Sequence, residues 1–493
     1  MPQFVLSTSL AFLIYLCIVL GIGYYAYLKT STAGDFLLGG RQLTPLVSAI
    51  SAGASDMSGW VLLGLPGYAY VAGLEAFWIS IGLVMGLAVN WFLVAKPLRI
   101  ISFQLDDAVT IPTYLQRRFA DTKPWVRVIS SLSILLFFLF YVAAGLIAGG
   151  KLFTEVFGIN YEMAVVFSVA VILVYTLFGG FLAVSWTDVF QGILILVALF
   201  MVPMLVFKKA GSYESFIDGI SDKNIYLLNI FISTDGKELS FIAIVSALAW
   251  GLGYFGQPHI LARFKAIRSP RHVYRAAFIG VVWAFLCYFL AIAVGLSGLF
   301  IIDQPLEDSE KVFIALTKII FNPLVAGALL AAILAAIMST VDSQLLVCSA
   351  SLAEDLYPLV SERELASADR LKIARIAVVI LALMGTSIAM NPESKVLDVV
   401  SYAWAGLGAS LGPTIIVSLY WSRMTSTGAI FGVIVGGLTV IVWSRLSGGI
   451  FDFYSLLPGF FLSLIAIGVG SLLTQRKLST RVVVSYSEIR KEF

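Results

Sequence analysis

An aspartate in the middle of an apolar stretch is the first residue in this chain that needs a chemical reason. The run Ser48-Ala-Ile-Ser-Ala-Gly-Ala-Ser-Asp-Met-Ser-Gly-Trp60 carries Asp56 with serines and glycines on both sides. An ionisable group at membrane depth costs about 3 kcal/mol unless it meets a partner or a water-filled cavity. Gly53, Ser55, Ser58 and Gly59 weaken the helix around it, so the backbone can open there and offer carbonyl oxygens. A closely packed helix interface would use the same small residues, but packing alone does not require a carboxylate.

Two further segments carry candidate chemistry. Trp250-Gly-Leu-Gly-Tyr-Phe-Gly-Gln-Pro-His259 holds three glycines and a proline in ten residues. Pro258 removes a helix hydrogen bond and clashes with the preceding turn, so a continuous helix is not expected. Open backbone at membrane depth is tolerated only where it is buried or lines a cavity. Trp250 and Tyr254 are four apart and share a face if the turn is helical. Two aromatics with polar tips beside a broken backbone suit an apolar ring that carries a carboxylate and an amine. The bland alternative, an interfacial aromatic belt, would sit less deep. The third segment, Ala335-Ala-Ile-Met-Ser-Thr-Val-Asp-Ser-Gln344, puts the side-chain oxygens of Ser339, Thr340, Asp342 and Ser343 into five residues. A hard monovalent cation takes such ligands. Serine and threonine also bond back to their own helix, so Asp342 adds weight that the hydroxyls alone lack. These residues by themselves describe an oxygen-rich site at three broken helices.

The elements that must position them follow from composition. The 493 residues are 60% hydrophobic and 12% charged, with a mean hydropathy of +0.96. Soluble domains carry about a quarter charged residues, so this chain cannot cover a water-facing surface and must face a lipid bilayer. Its net charge of +3 is small and spread through connecting segments, which argues against nucleic acid as a partner. Cys17, Cys287 and Cys348 lie far apart in apolar runs without metal spacing and read as small buried side chains. Phe4 to Tyr27 has no basic segment before it and no small-residue cleavage site, so it reads as a spanning helix rather than a removed signal.

A crossing takes about 20 apolar residues, and that rule gives thirteen candidate spans. They lie near 4–27, 44–72, 75–95, 128–150, 161–182, 186–207, 240–262, 274–301, 323–351, 372–391, 396–421, 427–444 and 453–474. Most of the 32 basic residues fall in the connections holding Arg41, Arg117, Arg263, Arg375 and Arg423 and in the tail from Arg476. The basic side is cytoplasmic, so the N-terminus is expected outside and the C-terminus inside. With the first helix set aside, helices two to six and seven to eleven form two groups of five. An odd group size makes the second group enter from the opposite side, as in transporters built from inverted repeats with discontinuous helices at matching positions.

Six stretches together resemble the sodium/solute symporter family, specifically its sodium/proline symporter branch. They are Asp35 to Arg41, Ser48 to Trp60, Phe178 to Asp188, Trp250 to Arg263, Ala331 to Gln344 and Ser401 to Gly406. They span nearly the whole chain in the family's order, and the second and fourth are long enough to separate this branch from sugar or iodide carriers. The resemblance implies an all-α membrane protein of the leucine-transporter fold: a five-plus-five inverted repeat, one extra N-terminal helix and two C-terminal helices. The single transporter domain would then comprise an N-terminal helix and loop at 1–42, a first repeat at 43–210 and an extracellular loop at 211–239. A second repeat at 240–422 and C-terminal helices with a cytoplasmic tail at 423–493 complete it.

The resemblance also implies the chemistry. A sodium site would lie between the second and ninth helices, made by the backbone carbonyls of Ala54, Met57 and Ala336 and the hydroxyls of Ser339 and Thr340. Asp56 matches the family's functionally critical aspartate. L-proline would lie against Ser58, Gly59, Tyr141, Trp250, Tyr254 and Pro258. The expected activity is inward sodium movement coupled to proline uptake across the inner cell membrane, with sodium as the co-transported ion and no obligate protein partner. One departure stands out. The branch usually has a small hydroxyl residue where this chain has Asp342, and in some relatives that region makes a second sodium site with the aspartate matching Asp188. Asp188, Asp342 and Ser343 are therefore a candidate second cation or proton site. Alternatives are another small solute, proton coupling, or an ion channel, which would favour rings of repeated side chains from symmetric subunits. With no Ser/His/Asp constellation and only His259 and His272 as histidines, an enzyme is not expected.

Overall fold

The computed structural model describes residues 2–28, 38–121, 123–177, 180–359 and 367–475. The motif residues Asp35 to Leu37, Phe178 and Gly179, and the tail from Arg476, lie outside them. Lipid cannot satisfy backbone N–H and C=O groups, so a lipid-facing chain closes its hydrogen bonds within helices, and most described residues are helical. The main helices are α1 (Pro2–Tyr27), α2 (Pro45–Ala54), α3 (Leu65–Ala72), α4 (Phe77–Asn90), α5 (Trp125–Phe157), α6 (Tyr161–Thr176) and α7 (Phe181–Ala210). There follow α8 (Phe241–Ala249), α9 (Pro258–Ala266), α10 (Val273–Ile301), α11 (Pro323–Ala350), α12 (Ser367–Ala389), α13 (Val396–Tyr420), α14 (Ser426–Trp443) and α15 (Leu456–Thr474).

Among the described residues, ten helices are long and apolar enough to cross a membrane, or eleven when a bent pair counts as one span. The expected thirteen are not reached on that measure, for two local reasons. Pro45–Ala54 and Tyr161–Val174 are apolar but short. The second and third expected spans merge into one helical stretch, Trp60–Gln104. Gly73 divides that stretch with φ 65, a left-handed turn for which glycine has no steric cost.

Two expected breaks are present and one is not. α2 ends at Ala54, Ser55 to Ser58 leave the helix, and a π-helical turn over Trp60–Gly64 leads into α3. α8 gives way to a tight 3₁₀ stretch over Trp250–Gly256, Gln257 is extended, and α9 starts on Pro258 after a bend of 51°. Proline suits that first position because the missing N–H would have no partner there. α11, by contrast, runs unbroken through Ala335 to Gln344. That segment has neither glycine nor proline, and its hydroxyls turn back on their own helix: Ser343 donates to the Ser339 carbonyl at 2.7 Å.

α11 is the buried centre, with almost every residue from Ala326 to Ala350 covered. α1 lies at the edge and turns Leu6, Leu10, Leu13 and Ile14 outward. Cys17 is exposed there, against the expectation of burial, because it shares that outward helix; Cys287 and Cys348 are buried.

Candidate functional site

The two breaks meet at Asp56. The hydroxyl of Tyr254, in the 3₁₀ stretch, donates to Asp56 Oδ2 at 2.6 Å. Tyr288, from α10, donates to the same oxygen at 3.0 Å, and the two phenol oxygens lie 2.5 Å apart. The Asp56 carbonyl accepts from Trp60 Nε1 at 3.0 Å and from the Tyr141 hydroxyl of α5 at 3.1 Å. One residue thus gathers donors from four elements, and two of them, the phenols, offset part of the cost of burying its carboxylate. Its other carboxylate oxygen, Oδ1, is buried and has no hydrogen-bond partner among the described residues.

Aromatic rings enclose this point. Trp60 stacks on Tyr288 at 5.7 Å and lies 6.2 Å from Trp250. Trp404 of α13 stands edge-on to Tyr254 at 5.0 Å and donates Nε1 to the Trp250 carbonyl at 2.8 Å. That approach needs Gly253, where a Cβ would fall 1.9 Å from Trp404 Nε1. Asn90 Nδ2 donates to the Tyr254 carbonyl at 3.0 Å, and Gln257 Nε2 to that of Gly253 at 3.1 Å. Carbonyls released by the broken helix are thereby satisfied. Sequence reasoning missed these supports. Asn90 was findable as a lone amide in an apolar helix; Tyr288, one aromatic among several in α10, carried no local signal.

The residues expected around the solute are divided between the centre and its two walls. Trp250 and Tyr254 do not share a face, because a 3₁₀ helix has about three residues per turn and sets positions four apart roughly 120° from each other. Trp250 stacks on Tyr454 at 5.3 Å and walls a cavity of about 270 Å³ with Tyr68, Glu75 and Trp78, at the end carrying residues 211–239. Tyr254 points inward with Tyr141. Ser58 is buried beside them and its hydroxyl accepts from the Trp60 amide at 3.4 Å. Gly59 packs on Ala148 of α5, and Pro258 lines a separate small cavity at the opposite end with Ile134, Phe181 and Lys265. His259 is buried against Phe138 and Tyr141.

A second cluster of oxygens sits where α2 ends. The last carbonyls of a helix lack internal partners and carry partial negative charge. Ser339 donates to the Ala54 carbonyl at 2.9 Å and lies 3.1 Å from that of Ala336, while Thr340 reaches Ala54 at 3.5 Å. Four of the five expected ion ligands therefore converge, with Met57 buried in the adjoining break.

The region of Asp188, Asp342 and Ser343 differs from expectation. α7 begins at Phe181, so Asp188 sits two turns inside it and fully buried. Arg263 of α9, equally buried, donates Nη2 to Asp188 Oδ2 at 3.1 Å and to the Ser343 hydroxyl at 2.6 Å, and Nε to Ser51 at 3.0 Å. Ser51 donates to the same Asp188 oxygen at 2.6 Å. Asp342 is fully buried; its Oδ2 has no hydrogen-bond partner among the described residues, and it lines a cavity of only about 20 Å³ with Ser349 and Arg375.

Comparison with known proteins accords with this arrangement. The model of the sodium:solute symporter family matches residues 36–436. The sodium/proline symporter of Escherichia coli (strain K12) is 45% identical over 469 residues, covering 94% of this chain and 92% of that one. The high-affinity proline transporter of Bacillus subtilis (strain 168) is 45% identical over 458 residues, covering 92% and 95%. Among solved structures, a Na+-coupled sialic acid symporter aligns with TM-score 0.78 at 19% identity, over 95% of this chain and 98% of that one. A closed nucleobase-cation-symport-1 family transporter aligns with TM-score 0.58 at 14% identity, over 93% and 100%. These two speak to the fold alone, and the fold is theirs: the leucine-transporter architecture.

Proposed function

Because this chain belongs to the sodium:solute symporter family, we propose that it is a secondary active symporter coupling inward sodium movement to the uptake of L-proline. The observation that carries the reading is the meeting of two helix breaks at Asp56, next to the open carbonyl end of α2 and the hydroxyls of α11. Relatives matched over more than nine-tenths of the chain are named for sodium and proline or for proline.

Sodium takes the carbonyls of Ala54, Met57 and Ala336 and the hydroxyls of Ser339 and Thr340. Proline takes the aromatic faces of Tyr141 and Tyr254 and the opened backbone at Ser58 and Gly59, with Trp250 and Pro258 closing the site from its two ends. Coupling follows from shared backbone. An ion held by Ala54 orders the break that also presents Asp56 and Ser58, so each ligand raises the affinity for the other. The two repeats, 43–210 and 240–422, supply one break each and rock about them. The basic connections lie in the cytoplasm, with the N-terminus outside. Asp188, Asp342 and Ser343 form a second cation or proton site, with Arg263 paired to Asp188 beside it.

The test is labelled proline uptake by purified protein in liposomes under imposed sodium or proton gradients. Uptake that follows an inward sodium gradient at fixed pH is expected. Uptake indifferent to sodium, or driven equally by a proton gradient alone, would overturn the reading.

A further inference from the structure

Tyr288 lies outside every motif in the sequence, yet it is the second donor to Asp56 Oδ2. α10 packs along both α2 and α3, so it crosses the break in the backbone as a splint, and Tyr288 sits opposite the break itself. Its ring is fully buried and stacked on Trp60. Its hydroxyl also meets that of Tyr254, so two phenols from two different elements converge on one carboxylate oxygen. The twin oxygen, Oδ1, is left buried and unpartnered among the described residues.

An aspartate carboxylate turns easily about χ2, which is broad and roughly two-fold. A single phenol would restrain Oδ2 without fixing the plane of the group. A second donor, anchored on a separate helix, fixes it. We infer that Tyr288 is a positioning residue: it holds Asp56 so that Oδ1 stays presented to a cationic group, either the coupling ion or the ammonium of the solute. The inference rests on the symporter reading and extends it to a residue and an atom.

The experiment uses the full chain in liposomes and measures half-saturation for sodium, half-saturation for proline and the maximal rate. Tyr288→Phe keeps the ring on Trp60 and removes only the hydroxyl. Loss of a hydrogen bond to a charged group is expected to raise one half-saturation about tenfold, with a much smaller change in maximal rate. A shift for sodium identifies the ion as the cationic group, and a shift for proline identifies the ammonium. Tyr254→Phe, measured alone and in combination, should give a double variant milder than the product of the single effects, because both phenols act on one oxygen.

Both half-saturations within about twofold of wild type, or a loss confined to maximal rate, would overturn the inference while leaving symport intact. Tyr288→Leu separates packing from hydrogen bonding. If Leu is impaired and Phe matches wild type, ring packing is the whole role and the inference falls. Wild-type protein without sodium-dependent uptake would sink the symporter reading and this inference together.

Discussion

At the scale of the residue, Ser339 and Thr340 approach the same carbonyl unequally, at 2.9 and 3.5 Å from Ala54. Each hydroxyl is worth about 1 kcal/mol or somewhat more to whatever it coordinates. Ser339→Ala is expected to raise the half-saturation for sodium about tenfold, Thr340→Ala somewhat less, and neither to change which solute is carried. An unaltered sodium half-saturation in both variants would move the ion site elsewhere. Trp250 and Tyr254 also separate at this scale. Burial of an aromatic ring contributes about 1.5–3 kcal/mol, so either change to alanine should raise the half-saturation for proline roughly ten- to hundredfold. Tyr254→Ala should cost more, since it also removes a donor to Asp56. Wild-type proline affinity in either variant would rule out a pocket on this segment.

At the scale of the element, the stretch between α8 and α9 holds its shape because other helices complete its hydrogen bonds. Asn90 of α4 and Trp404 of α13 bind the carbonyls of Tyr254 and Trp250, and Gly253 allows α13 to come close enough. Gly253→Ala puts a methyl group into the Trp404 indole. Overpacking of this kind costs about 1–3 kcal/mol, so a lower melting temperature in detergent and loss of most proline uptake are expected. A variant with wild-type melting and transport would mean that α13 does not brace the break.

At the scale of the whole molecule, buried charges tie several helices together. Arg263 joins α9 to α2, α7 and α11 through Ser51, Asp188 and Ser343, and Asp342, next in sequence to Ser343, leaves Oδ2 without a hydrogen-bond partner among the described residues. Asp342→Ser is expected to lower the ratio of charge to proline moved, or to flatten its dependence on pH. The sodium half-saturation and proline affinity should stay near wild type. Flux ratios measured in liposomes at several pH values test this; identity with wild type at every pH would leave Asp342 without a part in coupling.

By itself the sequence determined the membrane setting and the helical build, because 12% charged residues cannot cover a wet surface and hydrocarbon forces backbone hydrogen bonds into helices. It also determined two of the breaks. Glycine, serine and proline act on their own turn, so the openings around Asp56 and Pro258 were legible where they occur. The third expected break failed for the same local reason, since Ser339 and Ser343 satisfy their own helix. Tertiary structure alone decided the rest. Tyr288 meets Asp56 across 232 positions and Arg263 meets Asp188 across 75. The 3₁₀ twist turned Trp250 away from Tyr254. Such partners are chosen by which helices pack side by side, and no pattern within one helix encodes that choice.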